Sequence, residues 1–253
     1  MFNYIQSELV RYAQKKSIYV FYGVIFLGVI LLLFLMIGLD RGRNVDSAIQ
    51  ILAMCLNLAL PVVGVRLILD VFGDDLQSHV LGNSLSTSLT RGQLLVGKFI
   101  SLVIYSILSM IVMFFIYLVI YVILLGNLNE LNMVFTPSMV GIIFGLWAKL
   151  VVYTMMCSIL CYLFNKATGA ITFYILIATA LIPNLLVLGL GALSQQALNV
   201  YNKLSLFANS SNLLGTLNYQ IDYLYVIVLM VGYLALSIVA SYVILKYKDI
   251  EVS

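Results

Sequence analysis

Two places in this 253-residue chain carry groups that could do chemistry. The first is the polar stretch at residues 72–98, FGDDLQSHVLGNSLSTSLTRGQLLVGK, which lies between long apolar runs. It holds a paired acid (Asp74, Asp75), the single histidine (His79) and a small-polar turn (Gly82-Asn83). The run Ser84-Leu85-Ser86-Thr87-Ser88-Leu89-Thr90 follows, then Arg91 and a Gly97-Lys98 pair. Gly92 to Lys98 fits the first seven positions of a phosphate-binding loop, but Phe99 stands where a Ser or Thr would hold Mg²⁺. Leu94, Leu95 and Val96 would also cradle phosphate poorly, so no nucleotide is expected there. His79 has neither an H-E-x-x-H nor a nucleophile-elbow context, and the chain is not expected to be an enzyme. The second place is Lys149, a lone cation inside an apolar run. Cys55, Cys157 and Cys161 lie in apolar runs without CxxC or Cys/His spacing, which suits packing rather than a metal.

The elements that position these groups follow from composition. The chain is 63% apolar and only 9% charged, against roughly 25% charged residues in a soluble domain. Runs of about 20 apolar residues suit bilayer helices, and they are continuous rather than alternating, which excludes a barrel. Six spans are expected, at about 18–39, 48–72, 99–125, 137–164, 168–190 and 223–245. Before them, Phe2, Ile5, Leu9 and Tyr12 recur at helical spacing while Glu8, Arg11, Lys15 and Lys16 take other faces. That pattern predicts an amphipathic helix over 1–17 lying in the membrane interface. Residues 191–222 are too apolar for a free loop and too polar for a span, so short helices dipping into the outer leaflet are expected.

Orientation follows from the cations. With the N-terminus inside, eight Lys and Arg flank the inner ends of spans; Arg41, Arg43 and Lys203 are outside, and Arg66 and Lys149 fall within spans. Both termini are then cytoplasmic, and 73–98 is a cytoplasmic segment. The expected fold is an all-α, multi-pass cell-membrane protein forming a single transmembrane domain. The basic residues flank spans, so the net charge of +3 does not point to nucleic acid. Arg66 lies about 12 Å from Asp74 along its helix, close enough to snorkel to the interface, and can also pair with Asp70 at i+4.

Taken in order, these features resemble the permeases of type-2 ATP-binding-cassette (ABC) exporters. The shared features are an acid after the second span (Asp74, Asp75), a small turn (Gly82-Asn83), a Leu/Ser run (Leu85 to Leu89), Arg91, the pair Leu94-Leu95, and Gly97-Lys98 opening the third span. Asp stands where Glu is commoner, and Asn83 where Thr is commoner. The tight turn Phe164-Asn165-Lys166-Ala167 and the ending Tyr247-Lys248-Asp249-Ile250 are also similar. The resemblance implies that 73–98 is a coupling segment with Ser84 to Thr90 docking into a separate ATPase subunit. It implies a second permease, identical or related, and ATP with Mg²⁺ on the ATPase only. No cofactor is expected on this chain.

Lys149 lies about 20 Å from Thr136 and about 24 Å from Asn165 along a helix, near the bilayer midplane. A cation there is costly and faces a cavity or a partner. It is expected to line the permease interface or transport path, with Trp147, Tyr153 and Met156 as companions, to pair within one subunit, or to snorkel. The expected substrate is hydrophobic or amphipathic, including a small antimicrobial peptide, with lipid as the surrounding partner. A membrane sensor or immunity protein that binds without transport, or an ATP-independent channel or carrier, is the alternative.

Overall fold

A computed structural model describes residues 2–38, 45–73, 90–125, 137–164, 166–204 and 223–247. Nine α-helices follow in order among them: α1 Phe2–Gln14, α2 Lys16–Gly38, α3 Val45–Ile68, α4 Arg91–Leu125, α5 Pro137–Phe164, α6 Ala167–Ala178, α7 Leu181–Leu193, α8 Gln195–Leu204 and α9 Tyr223–Tyr247. A wider π-type turn, Leu69–Gly73, extends α3. No strand occurs among the described residues.

Three stretches are long and apolar enough to cross a bilayer: Gly92–Ile116, Ile143–Phe164 and Leu224–Tyr247. The pairs α1–α2 and α6–α7 are bent by 57° and 62°, and counting each as one span gives five among the described residues. The chain is thus an all-helical, multi-pass membrane protein. Leucines and valines such as Val24, Leu27, Leu31, Leu224, Val228 and Leu236 stand well exposed on α2 and α9, which suits hydrocarbon and not water.

α5 is the centre of the bundle. Its span is 67% buried, against 11% for α9, and it packs on α9, α6, α3 and α4. Lipid tails are as apolar as leucine, so close packing and small residues hold such helices together. Ser101, Ser106 and Ser109 of α4, Thr154 and Ser158 of α5, and Ser237 and Ser241 of α9 are all buried. Thr154 and Ser158 donate to carbonyls of their own helix, at Leu150, Val151 and Met155. Cys157 and Cys161 are buried free thiols in the same helix.

The expected fifth span, 168–190, is two helices. Ala180 takes a left-handed conformation at φ 64° between α6 and α7, an uncommon state for a residue with a Cβ. Pro183 explains the break. It has no N–H, and its ring would clash with the carbonyl of Thr179 in an unbroken helix. Restarting at Leu181 puts it in the first turn, where no N–H is required. α8, Gln195–Leu204, is a short helix within the expected segment 191–222. Its last carbonyls accept from tyrosines of α9: Tyr225 donates to Lys203, and Tyr233 to Leu204 at 3.1 Å.

α3 and α6 meet through a glycine notch. A Cβ on Gly64 would sit 1.9 Å from the Tyr174 hydroxyl, which donates to the Leu60 carbonyl at 2.9 Å. Tyr174 is fully buried there. Gly64→Val is expected to destabilise the detergent-solubilised protein by about 1–3 kcal/mol, the usual cost of overpacking. Gly232→Ala, whose Cβ meets nothing within 4 Å, is the control. Equal thermal unfolding of the two variants would show that Tyr174 does not seat on Gly64.

Candidate functional site

Glu8, Arg11 and Lys98 converge where α1 crosses the start of α4. α4 begins with a capping box: the Gln93 N–H donates to Thr90 Oγ1 at 3.2 Å, and the Thr90 N–H to Gln93 Oε1 at 3.1 Å. Thr90 is therefore the N-cap of a helix that starts at Arg91, eight residues before the expected third span. Residues 91–98 are the first two turns of α4.

This early start presents Gly97 and Lys98 to α1. A Cβ on Gly97 would lie 2.8 Å from the Tyr4 ring, so only glycine lets that ring lie flat on α4. Lys98 is buried, with its Nζ 3.2 Å from Glu8 Oε1 and 5.9 Å from the centre of the Tyr4 ring. The other Glu8 oxygen accepts from Arg11 at 2.6 Å. One turn along, Tyr12 stacks on Tyr105 of α4 at 3.9 Å. Tyr22 of α2 donates to Ser109 at 2.5 Å.

A second carboxylate repeats the pattern on the π-type turn. Asp70 is buried and takes Lys15 Nζ on Oδ1 at 3.0 Å and Arg66 Nε on Oδ2 at 2.7 Å. Arg66 Nη2 also donates to Ser17 at 2.5 Å. The i+4 pairing of Arg66 with Asp70 is as expected. Lys15, at the bend between α1 and α2, is the added partner that reaches 55 residues along the chain.

Glu8 is the departure from sequence reasoning. The amphipathic pattern placed it away from the buried face, yet it is buried while Val10 is exposed. The buried stripe of α1 is Glu8 and Tyr12 against α4, with Tyr4 on Gly97. The signal that could have found it is the i+4 spacing of Tyr4, Glu8 and Tyr12 together with a lone cation, Lys98, behind a glycine.

Asp74, Asp75, His79, Gly82, Asn83, Ser84, Leu85, Ser86, Thr87, Ser88 and Leu89 lie outside the described residues, as does the side chain of Arg91. Lys149 is buried in α5, with its Nζ 5.9 Å from the centre of the Tyr153 ring. Tyr153 is buried too. Met156 shares their side of the helix by the 100° step per residue. Trp147 is turned about 160° from Lys149 by the same step and donates to Ser106 of α4 at 3.0 Å. The structure therefore groups Lys149, Tyr153 and Met156 and assigns Trp147 to the α4 seam.

No group of three His, Cys, Asp or Glu side chains suited to a metal occurs among the described residues. The charged groups are locked to one another, which makes the seam a joint between elements. No protein-family model matches the chain, and no match to it is found among the curated proteins.

Removing one partner from a buried ion pair costs about 3–5 kcal/mol, because a charge stays buried. Lys98→Met is expected to free α1 from α4, seen as faster amide hydrogen exchange in α1. The double variant Glu8→Gln/Lys98→Met should recover most of the protection. Unchanged exchange in Lys98→Met would mean that the aromatic contacts alone hold α1.

Proposed function

We propose that the chain is the membrane-spanning permease subunit of an ATP-driven exporter, working with a separate ATPase that carries ATP and Mg²⁺. In this reading α3 supplies the sixth span, α1 lies in the inner interface, and both termini are cytoplasmic. A second copy or a related permease completes the path in the cell membrane. The cargo is a hydrophobic or amphipathic compound, including a small peptide.

One observation carries the reading. The polar connection lies between Gly73 and Thr90 in sequence, and the elements on its two sides are bonded to the α1–α2 bend and to α1. Asp70 holds Lys15 on the leaving side, and Lys98 holds Glu8 on the re-entering side. A push on that connection therefore reaches α1, α3 and α4 together. This is the mechanical requirement for a segment that relays ATPase closure. The order of motifs around it supports the same reading.

α5 then acts as the core against which these helices tilt, and Lys149 with Tyr153 and Met156 forms the polar point along it. In the described conformation that point is enclosed. Opening the path would expose it to cargo.

The test is affinity purification from native membranes, followed by mass spectrometry. A stoichiometric ABC-type ATPase is expected, and it should be lost when 84–89 is replaced by a Gly/Ser linker. Thr90 is kept in that variant because it caps α4. Lys149→Met, at matched expression, is expected to abolish cargo-stimulated ATP turnover while the ATPase still co-purifies. Recovery of the chain without an ATPase would overturn the exporter reading; unchanged stimulation in Lys149→Met would overturn the role of Lys149 alone.

A further inference from the structure

A groove of about 490 Å³ opens on the outside of the bundle between α2, α3 and α6. Its walls are Phe21 of α2, Pro61, Val62 and Val65 of α3, Leu69 of the π-type turn and Ile175 of α6, and its one charged group is Arg66. From Pro61 to Leu69 it runs roughly 12 Å along the helix. The size lies within the usual range for small-molecule sites.

The groove is polar at one end only. Arg66 sits beside Lys15, Asp70 and Ser17, at the level where α1 joins α2. Lys16 is exposed at the same junction. The opposite end, at Pro61 and Val62, is hydrocarbon alone. Arg66 uses Nε on Asp70 and Nη2 on Ser17. Its Nη1 carries two more N–H donors with no partner among the described residues. Phe21 underlies the guanidinium, with its ring centre 5.9 Å away, so the fork is held in place at the mouth of the groove.

We propose that this groove is a binding site for one anionic phospholipid, whose phosphate accepts from Arg66 Nη1 while one acyl chain lies along Val65, Val62 and Pro61. Charge and shape agree. A planar guanidinium suits a phosphate oxygen pair. The apolar walls below it suit a chain entering from the membrane interface. A zwitterionic lipid would bring its own cation to a junction already rich in Lys and Arg. The site needs the membrane setting only and does not depend on the exporter reading.

The bound lipid would bridge α2, α3 and α6, next to the Tyr174–Gly64 contact and the Asp70 ion pairs. Anionic lipid then stabilises the described arrangement of these helices.

The test is native mass spectrometry of the detergent-purified chain mixed with equal amounts of phosphatidylglycerol and phosphatidylcholine carrying identical acyl chains. One phosphatidylglycerol is expected to stay bound, preferred by about tenfold, because both lipids offer a phosphate but the choline cation is repelled by Arg66 and its Lys neighbours. Arg66→Gln should bring that ratio close to one. Val62→Trp, which fills the groove and leaves every charge in place, should remove the retained lipid. It decides the matter alone if Arg66→Gln does not fold. Equal retention of both lipids by the unaltered protein, or retained preference in Val62→Trp, would overturn the proposal. So would a dimer that excludes both lipids and becomes a monomer in Val62→Trp, since a second copy of the chain would then occupy the groove.

Discussion

Two carboxylates, Glu8 and Asp70, are buried among largely apolar helices, and the arrangement around them follows from that constraint. A buried carboxylate is severely destabilised unless cations and hydrogen bonds surround it. Glu8 and Asp70 each take two cations, one from their own element and one from a distant part of the chain. Satisfying Glu8 fixes α1 on α4. Satisfying Asp70 fixes the α1–α2 bend on the end of α3. The bend at Lys15 is needed because its side chain must reach Asp70 while α2 turns into the apolar bundle.

Small residues complete the same joint. Gly97 admits the Tyr4 ring and Gly64 admits Tyr174, each where a Cβ would overlap the aromatic side chain. Between lipid-exposed helices the hydrophobic effect offers no preference for one partner over another. Positions are chosen instead by notches of this kind, by buried serines and by tyrosine hydroxyls that reach carbonyls on other helices. The tyrosines are therefore placed more specifically than the many leucines around them. Ser101, Tyr105 and Ser241 are the buried hydroxyls with no hydrogen-bond partner among the described residues.

The joint also gives the polar connection its mechanical setting. Its two ends are not independent, because the elements on its two sides are bonded to the α1–α2 bend and to α1. α5, packed on α9, α6, α3 and α4, is the element against which the joint is set.

Much of the helical layout was legible in the sequence. The continuous apolar runs required helices, because a backbone in hydrocarbon must satisfy its own hydrogen bonds. Their expected bounds at 137–164 and 223–245 differ little from α5 and α9. The i+4 spacing also made the Arg66–Asp70 pair legible, since one helix holds both groups. The break at Ala180 was available from Pro183, yet the length of the apolar run hid it. The start of α4 at Arg91 was hidden because Thr90 and Gln93 read as polar linker until their backbone groups meet. Glu8 with Lys98 and Lys15 with Asp70 could not be read at all. Each pair joins residues far apart along the chain, and a charge pattern does not say which distant charges meet. The sequence determined that the chain is helical and immersed in lipid, because composition alone sets the solvent that it can tolerate. Only the tertiary structure decided which cation neutralises which carboxylate, because that depends on how α1 lies across α4 and on glycine notches whose occupants come from other helices.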